Sequence, residues 1–256
     1  MRTPVPSALR IEGLGLQIGG ATILKDVELD VAAGSLVGVI GPNGAGKTTL
    51  FNVISGLMKP TSGRVLMNGD DTTSASVPAR ARAGLGRTFQ TSSLFPRLTV
   101  LENVRLAAQV SLGGDYSLFR FPRRTDAATE LALAKLEAVG LGHKLDTPAG
   151  DISHGDKRKL EIAVLLVTNA SIVLLDEPMA GVGSGDVAGL VENIREMQRQ
   201  NGCTVLMVEH HIDVLMGLVQ KVAVLYFGSI IAYDTPQHIM DNPLVQSAYL
   251  GTGTAA

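Results

Sequence analysis

Gly41-Pro42-Asn43-Gly44-Ala45-Gly46-Lys47-Thr48 fits the pattern G-x-x-x-x-G-K-[ST]. The glycines permit a tight loop whose N–H groups turn inward onto phosphate oxygens. The run before it, residues 36–40, is continuously apolar, as expected for a strand buried on both faces. Residues 47–57 read as a helix, which adds its positive N-terminal end. Lys47 brings a point charge to the outer phosphates, and the Thr48 hydroxyl reaches magnesium. The expected ligand is a nucleoside triphosphate with Mg²⁺. Its expected contacts are Gly41, Asn43, Gly44, Ala45, Gly46, Lys47, Thr48 and Thr49.

On either side of this loop, short apolar runs alternate with helical patterns, the sign of an α/β domain. Residues 9–18 and 23–31 alternate as strands of an antiparallel edge. Residues 63–68 form another strand, closed by the turn pair Asn68-Gly69. The middle of the chain differs. Residues 99–110 and 126–139 carry apolar residues at helical spacing, among them Leu101, Val104, Ala108, Leu131, Ala134 and Ala138. Residues 91–165 are therefore expected to be a helical insertion, with a loop over 113–124. Core features resume with a strand at 171–176, a helix at 185–200 and a strand at 203–208. A further helix and two strands around Gly228 follow. A single domain over residues 8–256 is expected, with residues 1–7 as a loose lead-in.

Composition bounds the function. The chain has 256 residues, enough to bury a core without staples. Apolar residues make up 45% of it and the mean hydropathy is +0.24, which raises the question of a membrane span. The most apolar stretches are broken by Thr168, Asn169, Glu209, His210, Asp213 and Lys221, well short of the roughly 20 apolar residues a span needs. No apolar run follows Arg2, which argues against a secretory leader. With 22 basic and 24 acidic residues the formal charge is −2, which argues against nucleic acid as a partner. The single cysteine, Cys203, cannot form an internal disulfide and reads as a small buried hydrophobe. The histidines show no zinc spacing.

A second chemical site follows the run Ile172-Val173-Leu174-Leu175, which ends in Asp176-Glu177-Pro178. A carboxylate at the end of a buried strand suits a magnesium shell, a role for Asp176. The next, Glu177, is placed to orient or deprotonate water.

With the cradle and these acids in place, the chain resembles the ATP-binding subunit of an ABC transporter from about Leu9 to Gly251. The resemblance implies a P-loop NTPase core with an antiparallel β subdomain and a helical subdomain. Gln90, in Arg87-Thr88-Phe89-Gln90, matches the family's glutamine loop, which implies contact with Mg²⁺ and the attacking water. His210, in Val208-Glu209-His210, matches the switch histidine that meets the γ-phosphate. Ile152-Ser153-His154-Gly155-Asp156 stands where the family places Leu-Ser-Gly-Gly-Gln. Ser153 and Gly155 would then cap the γ-phosphate of ATP held by a second ATPase subunit. Ile18 stands about where the family stacks adenine on an aromatic ring. The segments Leu98–Val104, Leu160–Ala163, Met216-Gly217-Leu218 and Ala248–Gly251 are similar to the ATPases of branched-chain amino acid uptake systems, and urea and amide importers use very similar ATPases. That implies ATP with Mg²⁺, transmembrane permease subunits, indirectly a solute-binding protein, and a place on the cytoplasmic face of the plasma membrane. A soluble ATPase of iron–sulfur assembly is the alternative of similar size.

Two replacements stand in the signature, His154 for a glycine and Asp156 for a glutamine. Asp156-Lys157-Arg158-Lys159 reads as a solvated helix start. Phe119-Arg120-Phe121-Pro122-Arg123-Arg124 reads as an insertion loop.

Overall fold

The computed structural model describes residues 6–88, 94–113 and 126–250. In chain order the elements are β1 (Ser7–Ile18), β2 (Ala21–Ala32), β3 (Leu36–Ile40), α1 (Lys47–Ile54), β4 (Ser62–Met67), β5 (Asp70–Asp71), α2 (Val77–Arg82) and β6 (Leu85–Arg87). After these come α3 (Val100–Ser111), α4 (Ala127–Ala138), α5 (His154–Thr168), β7 (Ile172–Asp176), α6 (Ser184–Asn201) and β8 (Thr204–Val208). The chain closes with α7 (Ile212–Leu218), β9 (Lys221–Tyr226), β10 (Ser229–Asp234), α8 (Pro236–Met240) and α9 (Pro243–Leu250). They fall into two compact units.

The first unit comprises residues 1–87, 171–178 and 203–256 and holds both sheets. One sheet is antiparallel, in the order β2-β1-β4-β5. Its long strands alternate because one face is buried: Leu9, Ile11, Val27, Leu29 and Val31 point into the core. The other sheet has the order β10-β9-β3-β8-β7-β6 and is parallel except for β10. Strands β3, β7 and β8 are buried at every position, which explains why they read as unbroken apolar runs. Parallel pairing sets the strands' C-terminal ends along one edge, where functional loops collect. Gly38 lets α7 approach β3, because a Cβ there would lie 2.8 Å from Leu215 Cδ2.

Helix α1 ends at Ile54, three residues before its expected end. Gly56 takes a left-handed φ of 80°. The fully buried Arg80 of α2 donates to the Val53 and Ile54 carbonyls at 2.7 and 2.6 Å, and to Thr73 and Ala75. A cation at a helix C-terminus satisfies orphan carbonyls and opposes the helix dipole. Helix α2, and the short strands β5 and β6, carry no long periodic pattern and were not expected. Ser76 caps α2 and Pro78 sits in its first turn, a local signal that is legible in retrospect.

The second unit, residues 88–170 with 179–202, is helical: α3, α4, α5 and α6. Thr99 and Glu102 form a reciprocal capping box at the start of α3. Asn103, buried in α3, ties the preceding turn through Phe95, accepting from its N–H at 2.8 Å and donating to its carbonyl at 3.1 Å. The segment Phe119–Arg124 lies outside the described residues.

Candidate functional site

The phosphate cradle joins β3 to α1. Two of its glycines are required by close approach. A Cβ on Gly41 would sit 2.1 Å from the Leu225 carbonyl oxygen. Gly46, the N-cap of α1 at φ 103°, would place one 3.2 Å from the Ile23 oxygen. Asn43, Gly44 and Thr48 are exposed, while Ala45 is buried against the core. A Cβ on Gly44 would meet nothing, so the mouth of the loop is open. Lys47 is buried, and its ammonium donates to the Gly41 and Pro42 carbonyls at 2.7 and 3.1 Å. Burial lowers its pKa, and the negative charges of Glu177 and Asp176 oppose that shift. The lysine charge and the two acids therefore share one electrostatic neighbourhood.

Asp176 ends β7 fully buried. Its Oδ2 lies 3.1 Å from Arg87 Nη2, and Arg87 is itself buried. Arg87 Nη1 also donates to Asn52 Oδ1 at 2.9 Å and Ser55 Oγ at 2.7 Å, and the guanidinium lies over the Phe51 ring. One side chain from β6 thus ties the helix that follows the cradle to the acid at the end of β7. Burial lowers the Arg87 pKa, and Asp176 counters it.

Glu177 stands just beyond β7 at φ 50°, a left-handed conformation rare for such a residue, and its N–H donates to the Val208 carbonyl at 2.9 Å. Its Oε1 lies 3.0 Å from His210 Nε2. His210 is held from behind by Glu209, whose buried carboxylate accepts from the N–H of His210 at 2.9 Å and of His211 at 3.3 Å, and bonds the His211 ring at 3.2 Å. Glu209 is a site residue that sequence reasoning passed over. Its signal was an acid placed directly after a fully buried strand.

In the helical unit, Ser153 is the N-cap of α5. Its hydroxyl accepts from the Asp156 N–H at 3.1 Å and donates to Asp156 Oδ2 at 2.9 Å. Asp156 is paired with Lys144 at 2.5 Å and with Lys159 at 3.7 Å. The expected solvated helix start is therefore incorrect at its first acid: Asp156 is buried, and Arg158 is tied to Glu161 at 2.8 Å. Gly155 is buried, and a Cβ there would lie 3.2 Å from Asp186 Oδ2. Ser153 and His154 remain exposed. Gln90 lies outside the described residues. Ile18 ends β1, exposed beside the Gly19-Gly20 turn.

The expected residues thus form two groups. Gly41–Thr49, Asp176, Glu177 and His210 gather at one edge of the parallel sheet, and Ser153 with Gly155 opens a helix of the other unit. Comparison with known proteins follows the same lines. A family model described as ABC transporter matches residues 24–180, and one described as branched-chain amino acid ATP-binding cassette transporter matches residues 229–255. The high-affinity branched-chain amino acid transport ATP-binding protein LivG of Escherichia coli K12 is 37% identical over 248 residues, covering 95% of this chain and 97% of LivG. MJ1267, an ATP-binding cassette of an ABC transporter solved in its ADP conformation, superimposes with a TM-score of 0.83 at 31% identity, covering 96% of this chain and 99% of that one. The ATP-binding cassette MJ0796, solved as a dimer in a post-hydrolysis state with ADP and Pi, gives 0.75 at 25% identity, covering 89% and 98%.

Proposed function

The chain belongs to the ABC transporter ATPases, and from that premise we propose that it is the ATP-hydrolysing subunit of an importer for branched-chain amino acids. The observation that carries this reading is the 3.0 Å contact of Glu177 with His210, at the ends of two adjacent parallel strands beside the cradle's own strand.

The chemistry follows from those positions. The amides of residues 43–48 and the N-terminal end of α1 hold the β- and γ-phosphates. Lys47 exchanges the Gly41 and Pro42 carbonyls for phosphate oxygens. Glu177 takes a proton from the attacking water as it adds to the γ-phosphorus and the bond to ADP breaks. His210 donates through Nε2 to the γ-phosphate oxygens as charge builds on them. Glu209 fixes the histidine turn and Arg87 fixes the Asp176 carboxylate.

A magnesium ion fits this setting. The Thr48 hydroxyl, the Asp176 carboxylate and the Gln90 amide oxygen would hold it, an all-oxygen set suited to a hard cation that shares its shell with substrate phosphates. When bound, it neutralises charge on the β- and γ-oxygens.

Ser153 and Gly155, at the start of α5, serve the γ-phosphate of ATP in a second ATPase subunit, by the same helix-terminus attraction. Closure of the pair drives the transmembrane permease subunits, and hydrolysis reopens it. A solute-binding protein delivers the amino acid to the permeases, and this chain lies peripherally on the cytoplasmic face of the membrane. No helix among the described residues is long and apolar enough to cross it.

Reconstitution tests the reading. Proteoliposomes holding this chain with co-purified permeases should accumulate radiolabelled leucine only when MgATP is on the ATPase side. Lys47→Ala should abolish both uptake and hydrolysis. Hydrolysis by a chain that associates with soluble scaffold proteins and no permease would contradict the transport role. Uptake of urea or an amide in place of leucine would contradict the solute.

A further inference from the structure

Helix α7 opens on His211, its N-cap. That position favours Ser, Thr, Asp or Asn, whose side chains accept from the free N–H groups of the first turn. His211 makes no such bond. Its ring turns the other way, and Nδ1 lies 3.2 Å from Glu209 Oε2. The imidazole is 60% exposed, whereas the Glu209 side chain is only 2% exposed.

A carboxylate withdrawn from water needs hydrogen-bonding partners. Glu209 Oε2 accepts from the N–H of His210 at 2.9 Å, from the N–H of His211 at 3.3 Å and from the His211 ring. An ionised carboxylate only accepts, so the ring nitrogen that faces it carries a proton. This holds for the imidazolium and for the neutral Nδ1–H tautomer alike. Of these three donors, two are main chain and come with any residue but proline. The ring is the one that the choice of residue at 211 decides.

The main chain behind the ring is itself fixed. The Leu215 N–H donates to the His211 carbonyl at 3.0 Å, and the Ile212 N–H to the His210 carbonyl at 3.0 Å. Leu215 is fully buried and packs on β3 at Gly38, the strand that leads into the cradle. Contacts thus run from β3 through α7 to His211, from its ring to Glu209, and from that carboxylate to the His210 N–H. They end where His210 Nε2 meets Glu177 Oε1 at 3.0 Å. All these residues belong to the first unit. The His210 side chain is half exposed, so packing alone does not hold it. Its aim depends on the main chain from which it projects, and hydrogen bonds behind a site residue are what fix such an aim.

We infer that His211 is a positioning residue of the hydrolytic centre. Its Nδ1–H clamps the Glu209 carboxylate, which sets the main chain at His210 and so the aim of the His210 ring at Glu177 and the γ-phosphate. The inference rests on the hydrolytic reading above and adds to it the side chain that keeps the pair aligned. His211 acts through Glu209 and His210 and needs no contact with the nucleotide.

Single-turnover cleavage of MgATP, run beside a binding titration, tests this on the full chain. His211→Phe keeps a ring and loses the donor. His211→Asn places an amide N–H where Nδ1–H stood. His211→Phe should slow cleavage about tenfold, the size expected for one lost hydrogen bond to a charged group, with MgATP affinity unchanged. His211→Asn should restore the wild-type rate. In a His210→Ala background, His211→Phe should cost nothing further, because it acts through His210. An unchanged rate in His211→Phe, or an equal loss in the His210→Ala background, would overturn the inference and leave the hydrolytic centre standing. A second measurement needs no variant, should His211→Phe fail to fold. Long-range ¹H–¹⁵N spectra of the wild type should show neutral His211 protonated at Nδ1, and a bare Nδ1 would overturn the inference equally. A wild-type chain that binds MgATP and never cleaves it would refute the hydrolytic reading itself.

Discussion

Arg87 Nη2 lies 3.1 Å from Asp176 Oδ2, with both side chains almost wholly withdrawn from water. The pair spans β6 and β7, and the same guanidinium anchors Asn52 of α1 and the helix's C-cap Ser55. Removing one partner of a buried pair leaves an uncompensated charge. Arg87→Met should therefore lower unfolding stability by about 3–5 kcal/mol. Adding Asp176→Asn to that variant should recover part of the loss, a coupling that denaturant unfolding of the double-mutant cycle measures. Strict additivity of the two changes would show that the contact carries no energy of its own.

Asp156 makes a pH-dependent contribution. Burial would raise its pKa, but the hydrogen bonds from Lys144 and Ser153 and the charges of Lys144 and Lys159 hold it below its ordinary 3.8. A carboxylate depressed in the folded state adds stability that is complete above the unfolded value and fades as pH falls through the folded one. Asp156→Asn should thus destabilise the chain at pH 7, and the gap from wild type should narrow once pH drops below 3.8. Urea unfolding at pH 7 and near pH 3 measures it. A gap independent of pH would contradict the carboxylate's role.

Cys203 precedes β8, buried, with its thiol pushed up to about 11. The thiolate is the reactive form. The native chain should consume almost no Ellman reagent at pH 8, and one equivalent in denaturant. Rapid native labelling would place the thiol at an accessible surface.

The cradle was legible in the sequence because its chemistry is local. Gly41, Gly46, Lys47 and Thr48 need only their spacing and the strand and helix around them. Glu177 and His210 were legible as strand-end residues, yet their contact was not, because it depends on β7 pairing with β8 across the helix and loops of residues 177–203. Arg87 stood in plain view beside Gln90, but only tertiary packing reveals an arginine holding both α1 and Asp176. Asp156 was read as solvated because a charge run on a helix start usually is. Three local partners, Ser153, Lys144 and Lys159, reverse that. Short elements such as α2 and β6 lack the length over which periodicity can speak.

The role of Glu177 is tested most directly by single-turnover hydrolysis of MgATP by Glu177→Gln, run beside a binding titration. The glutamine preserves shape and can still bond His210, but it cannot take a proton. The expected result is wild-type affinity for MgATP with cleavage slowed by at least about 100-fold, the lower range for loss of a general base. Cleavage at the wild-type rate would contradict Glu177 as the base and, with it, the assignment of the Glu177–His210 pair as the hydrolytic centre.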